Sequence, residues 1–456
     1  MALEKYDDSK FESAFQAALQ LEKRDYPSYV GGMKVASGTT FIVKSPVDES
    51  IGFGFFQEPE IGLAGAAVMS AMKCLESWRR VDQASKRACF EKALESLKAQ
   101  RYRMASFILL SSGMTGKDAV AEVDRVIEII ESECSKEVQA GAGGVWAIVS
   151  TCSSPFASPI GYAISAMLAG NVAILVPTSQ NSLPLFQMYG IFEKAGLPDG
   201  VLNILIDRKN DVAVDIANDP NIRGLVLSGT GEFMDEMMFL VADDQLKIVN
   251  EVKGMNPIVV HKPSNVKKAV SMVLESAFSY SGQGLFSTSK LILSGMDANE
   301  FVNELIGQLE SLKIGDPSEK DTFAGPISAD GFSRWNKLIS EYGGHLVAGG
   351  ARVDDEFTKG GYYVRPAMFL NVEEDCELNF MDNGLPILSI MAVDDLDAAL
   401  DEVENTDCGL SAGLISKDQK AIERFNGLNI PLKFVNESNA RLSAAVYAKV
   451  EGFKVS

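Results

Sequence analysis

Histidine is nearly absent from this chain: there are two, His261 and His345, in 456 residues. That scarcity nearly excludes a metal cluster and argues against a Ser-His-Asp triad. The six cysteines form no CxxC pair and no regular spacing, which excludes a zinc site and a disulfide framework and makes a reducing cytoplasm the expected home. No apolar run is long enough to span a bilayer, so no membrane partner is expected. The charged segment Met1 to Arg24 reads as an amphipathic helix, not a signal peptide. Positive charge is in deficit: the formal net charge is -20, and no basic stripe is present to offset that field on phosphate, so nucleic acid is not expected either. Internal repeats and low-complexity linkers are missing too.

What is present is an ordinary globular composition, at a length beyond that of a single core, so two or three domains are expected. Apolar residues recur at helical spacing over 9–24, 62–100 and 117–134, where Val120, Val123, Val126, Ile127 and Ile130 share one face. After Gln139 the pattern changes. Short, almost wholly apolar runs at 145–149, 172–176, 201–205 and 224–227 alternate with helical stretches, among them one to about Ala169 and one over 183–195. Apolar strands of this length alternating with helices indicate a parallel sheet covered on both faces, a doubly wound nucleotide-binding layout. A second α/β region starts near Pro257, with a strand at 257–260, a helix over 266–280 and a strand at 290–293, and continues to about Asn426.

Two glycine loops compete for a phosphate. Gly141, Gly143 and Gly144 precede a strand, whereas a pyrophosphate loop must follow one and open a helix, so they read as a turn. Ser228-Gly229-Thr230-Gly231-Glu232 follows the 224–227 run and opens a helix. Its amides and the Thr230 hydroxyl suit a phosphate, and equally suit a threonine N-cap.

Several motifs, in order, carry a resemblance. They are Tyr29-Val30-Gly31-Gly32, Thr115-Gly116-Lys117, the run from Lys194 to Asn203, Ser228-Gly229-Thr230-Gly231-Glu232, Gly315-Asp316-Pro317 with Gly325-Pro326-Ile327, Gly361-Tyr362-Tyr363-Val364-Arg365-Pro366, and the run from Gly409 to Leu414. The chain resembles the aldehyde dehydrogenase superfamily from about Tyr29 to its C-terminus. The fold this implies is α/β, with a Rossmann-type parallel-sheet cofactor domain (1–253), an α/β catalytic-like domain (254–430) and a C-terminal tail or strand (431–456) returning to the first domain or to a dimer partner. The closing segment Ala445 to Val450 resembles the family's last strand. The oligomerisation element is expected to be reduced, since the stretch between Cys134 and Gly141 is too short for the family's hairpin. The anchor that usually follows Asn436-Glu437-Ser438-Asn439 is missing.

The family's chemistry needs a thiolate to attack the aldehyde, an amide donor for the oxyanion, and a glutamate to activate water. The run from Val249 to Pro257 resembles the glutamate motif and puts Glu251 at the carboxylate, with Lys253-Gly254 where a Gly-Gly pair is usual. A lysine there would crowd the nicotinamide path. The alternative for Glu251 is a solvated charge on a strand end. The loop from Ser281 to Lys290 looks like the nucleophile loop, its Gly282-Gln283 pair fixing the register, and Leu285 stands where cysteine belongs. Ser153, in Thr151-Cys152-Ser153-Ser154-Pro155, takes the place of the oxyanion asparagine, with Cys152 beside it as an ordinary buried thiol or a free one. Val176 and Ser179 replace the lysine and glutamate that hold the adenosine ribose, and Asp382 replaces the glutamate on the nicotinamide ribose.

The expected cofactor contacts are therefore Ser228, Gly229, Thr230, Glu232, Ser179 and Asp382, binding NAD or NADP weakly or not at all. The expectation is a scaffolding, binding or regulatory protein without aldehyde oxidation, with a second copy in a homodimer or an active paralogue as the candidate partner. A reductase or hydrolase of altered mechanism, using Glu251 with water or Ser287 or Cys152 as nucleophile, and a nucleotide binder without turnover are the alternatives.

Overall fold

The structure is a computed structural model and describes residues 5–20, 24–136, 143–151, 153–241, 246–373, 376–382, 384–406 and 410–440. The chain divides into two compact units. Among the described residues, the first holds those up to Ser45 together with Glu49–Glu251, and the second holds Pro46–Asp48 and those from Val252 onward.

The first unit is built on a seven-stranded sheet in the order Lys247–Lys253, Ile222–Thr230, Val145–Ser150, Val172–Pro177, Leu202–Ile204, Ser28–Val30, Met33–Val35. Val145–Ser150 pairs in parallel with both Val172–Pro177 and Ile222–Thr230, while Ser28–Val30 joins antiparallel to Leu202–Ile204. Every residue of Val145–Ser150 and Val172–Pro177 is buried, as expected for parallel strands with helices on both faces. The helix Ala157–Leu168 is buried along its whole length, and Gly116–Ser135 packs against it. The helical stretch 62–100 is two helices, Leu63–Arg80 and Gln83–Ala99. The break falls where the extended Asp82 caps the second by accepting from the Ser85 N–H.

The second unit repeats the logic with a seven-stranded sheet ordered Leu346–Ala348, Ala367–Leu370, Ile387–Val393, Lys290–Ser294, Ile258–His261, Ser411–Ile415, Leu432–Val435. Alternate residues feed opposite cores. Ile258, Val260, Leu291 and Leu293 pack with Val270, Leu274, Phe301 and Leu305, and Val259 and Ile292 pack with Leu400, Val403, Leu414 and Phe425. The edge strand Leu432–Val435 pairs in parallel with Ser411–Ile415, so the second sheet continues past Asn426 into the segment expected to form a tail. Ala445 to Val450 lies outside the described residues, as do 137–142. The helix expected over 266–280 ends at Phe278, because Tyr280 (φ 51°) and Ser281 (φ 52°) are left-handed and cannot continue it.

Ile174, fully buried in the middle of the first sheet, provides a test of this core. Ile174→Ala should lower unfolding free energy by about 2–5 kcal/mol in denaturant titration, and an unchanged midpoint would contradict the packing described.

Candidate functional site

In the first unit the C-terminal end of Ile222–Thr230 carries Ser228, Gly229 and Thr230. A Cβ at Gly229 would lie 2.8 Å from the Phe233 ring and 2.8 Å from the Thr151 side chain, so a larger residue there would make one of them shift. The Thr230 hydroxyl accepts from the Phe233 N–H at 3.3 Å and caps the helix Gly231–Leu240. The cap is compatible with either reading of this loop. Glu232 lies exposed in the first turn of that helix. Val176 is fully buried, and Ser179 opens the short 3-10 turn Ser179–Asn181, its carbonyl accepting from the Ser182 hydroxyl at 2.7 Å.

Glu251 is 1% exposed, which overturns the alternative of a solvated charge. Its Oε2 accepts from the Ser228 hydroxyl at 2.6 Å. Burial pushes its carboxyl up to about 7; hydrogen bonds from Ser158 and Ser228 hold it back, and the nearby Glu122 carboxylate adds to the rise. Glu122 is itself buried, pairs with Arg125, and accepts from the backbone N–H groups of Phe156 (3.3 Å) and Ala157 (2.9 Å) at the start of Ala157–Leu168. Those N–H groups have no partner inside the helix, so the acid completes its N-terminus. Ser153 is buried at 6% exposure, and Cys152 lies outside the described residues.

In the second unit the loop that follows Val266–Phe278 is tightly specified. Gly282 (φ +68°) would place a Cβ 2.3 Å from the Leu385 carbonyl oxygen. The Ser281 hydroxyl donates to the Gly325 carbonyl at 2.7 Å, and the Gln283 amide donates to Tyr280 and Pro326 carbonyls. Asn256 is fully buried at φ +44°. Its amide donates to the carbonyls of Gly254, Leu285 and Ser287 at 3.1–3.2 Å, and its oxygen accepts from the Ser411 N–H and hydroxyl. Leu285 is 2% exposed. Neither histidine serves Ser287: His261 pairs with the Ser294 hydroxyl at 3.0 Å, and His345 with Glu373 at 3.2 Å.

Lys253 does not project freely. It forms an ion pair with Asp382 in which both side chains are essentially excluded from solvent. The same carboxylate accepts from the Ser289 hydroxyl at 2.5 Å and from the Gly384 N–H at 3.2 Å. Sequence reasoning named both ends of this pair without joining them. It missed Asn256, Glu122 and Ser289 altogether; the only signal for Asn256 was its place beside the Glu251 motif.

The aldehyde dehydrogenase family model matches residues 35–456. The chain belongs to the aldehyde dehydrogenase family. Among its relatives, the 1-pyrroline-5-carboxylate dehydrogenase of Bacillus subtilis is 25% identical over 453 residues, covering 92% of this chain and 87% of that protein. The alpha-ketoglutarate semialdehyde dehydrogenase of Haloferax volcanii is 26% identical over 422 residues, with 87% of each covered. A Thermus 1-pyrroline-5-carboxylate dehydrogenase solved with bound NAD superposes with a TM-score of 0.89 at 22% identity, over 97% of this chain and 91% of that one. A Staphylococcus aureus betaine aldehyde dehydrogenase in complex with NAD+ gives 0.85 at 18% identity, over 94% and 90%. The fold is therefore the family's: an α/β chain with parallel strands at the heart of each of its two large mixed sheets. No helix among the described residues is long and apolar enough to cross a membrane.

The raised Glu251 carboxyl fixes the sign of a pH effect. From the ordinary 4.5 up to about 7, folded Glu251 keeps a proton that the unfolded chain has lost. Stability therefore falls as pH rises through that window. Glu251→Gln cannot ionise, so its stability relative to the parent should improve by on the order of 3 kcal/mol between acid pH and about pH 8. A pH-independent difference between the two melting profiles would contradict the assignment.

Proposed function

We propose that this chain is an aldehyde dehydrogenase family member that does not oxidise aldehydes and serves as a binding, scaffolding or regulatory protein. The observation that carries the reading is Leu285. It stands at the nucleophile position of a loop whose backbone is still held by Asn256, Ser281 and Gln283. A leucine side chain has no lone pair to attack a carbonyl, whatever the pH.

The residues toward a dinucleotide support the same reading, because they do not fit one. At the adenosine ribose positions Val176 offers no hydrogen bond and Ser179 no charge. At the nicotinamide ribose position the Asp382 carboxylate is taken by Lys253, Ser289 and Gly384. Each charge-assisted bond lost costs about 1.5–3 kcal/mol, so tenfold or more in affinity. The Ser153 hydroxyl is a shorter and more freely rotating donor than an asparagine amide, which weakens oxyanion stabilisation. A regulatory role is best served by pairing with another copy or with an active paralogue. A second reading, hydrolysis of an activated ester by water, is favoured by one feature, the Glu251 carboxyl poised near neutrality.

Purified protein given an aldehyde panel with NAD or NADP should produce no reduced cofactor by absorbance. Leu285→Cys alone should not restore it, since Ser153, Val176 and Ser179 remain. Cofactor reduction that disappears in Glu251→Gln would overturn the proposal. Ester hydrolysis lost in the same variant, without cofactor reduction, would select the second reading.

A further inference from the structure

Ser28 opens the strand Ser28–Val30 and shares its buried face with Val30. It is 1% exposed, and its hydroxyl has no hydrogen-bond partner among the described residues. A buried hydroxyl left unpaired is destabilising, so its presence needs a physical reason. Ser28 lines a cleft of about 200 Å³ in the first unit, formed with the turn that leads into the helix Leu63–Arg80. That helix begins after Gly62, which is left-handed (φ +89°) and has no side chain to cap it. The Leu63 N–H donates to the Glu60 carbonyl and the Ala66 N–H to the Gly62 carbonyl, each at 3.0 Å. Between them the N–H groups of Ala64 and Gly65 have no partner among the described residues, and they carry the positive end of the helix.

Glu58 and Glu60 line the same cleft, yet neither caps the helix. Glu60 accepts from the Gly38 N–H at 3.3 Å, and Glu58 has only the exposed Lys209 and Arg208 near it, at 3.7 and 3.9 Å. Among the described residues no lysine or arginine lines the cleft, and Val35 and Leu63 give it an apolar wall. From this arrangement we infer that the cleft binds a free α-amino acid with a small aliphatic side chain. The ligand's carboxylate takes the Ala64 and Gly65 N–H groups and the Ser28 hydroxyl. Its ammonium meets Glu58 and Glu60, and its side chain lies on Val35 and Leu63. A bare anion such as phosphate suits the helix end but is repelled by the two carboxylates. A bare amine suits the carboxylates and leaves the donors idle. A zwitterion satisfies both sets at once. Drug-sized ligands need pockets of roughly 300–1,000 Å³, so a cleft of this size selects a smaller molecule. No covalent bond changes and neither Glu251 nor Leu285 takes part, so the inference stands apart from the proposed loss of turnover.

Isothermal titration of the full chain with L-valine at neutral pH is the test. Isovalerate, which lacks the ammonium, and isobutylamine, which lacks the carboxylate, are the single-charge controls. The expected result is saturable valine binding, with each control weaker by about tenfold or more for its missing charge-assisted bonds. Ser28→Ala removes only the unpaired hydroxyl; it should weaken valine about tenfold without lowering the melting temperature. Glu60→Gln, at an exposed side chain, should weaken valine while sparing isovalerate. The inference is overturned by the absence of saturable heat with valine, by isovalerate binding as tightly as valine, or by valine affinity unchanged in both variants.

Discussion

The second unit depends on one buried amide. Asn256 ties its own strand end, the Leu285 loop and the start of Ser411–Ile415 into a single knot, donating to three carbonyls and accepting from both polar groups of Ser411. Leaving any of these enclosed groups unpaired costs about 1–3 kcal/mol. Its left-handed backbone, and those of Tyr280 and Ser281, are strained conformations that persist because the surroundings over-determine them. None of the groups that hold this loop is a reacting group. A hydrocarbon side chain at Leu285 is therefore compatible with the loop's course, as the proposed loss of a nucleophile there requires.

The same separation of scaffold from chemistry is seen at the buried charges. Glu122 neutralises Arg125 and the open end of a helix, a structural task. Glu251 has no cation of its own among its described partners and holds its proton toward neutrality. Lys253 and Asp382 satisfy each other. Breaking such a pair by removing one partner leaves an isolated buried charge, a loss of several kcal/mol, so both residues are kept in place once the pair has formed.

Much of the fold was legible because it rests on period and punctuation. The wholly apolar runs at 145–149 and 172–176 are central parallel strands, and Thr230 at a strand-to-helix turn is a cap. The boundary at Phe278 was not legible, since left-handed Tyr280 and Ser281 are imposed by the loop's hydrogen bonds and not by their own propensity. At the candidate site, residue identities were readable at Glu251, Leu285 and Ser153, but their environments were not. Burial decides whether Glu251 is a solvated charge or a half-protonated acid. The Lys253–Asp382 pair joins residues 129 positions apart, and no local pattern reports it. Asn256 gives no signal because its role lies in whom it touches.

As proposed above, the family scaffold persists here while its dinucleotide contacts are given to the protein's own side chains. Isothermal titration of the intact chain with NAD tests it most directly. The account predicts no saturable heat up to about millimolar cofactor, a ceiling on binding near -4 kcal/mol. Saturable binding with a Kd of about a micromolar would contradict it, because affinity of that order needs the contacts that Val176, Ser179 and the occupied Asp382 do not supply.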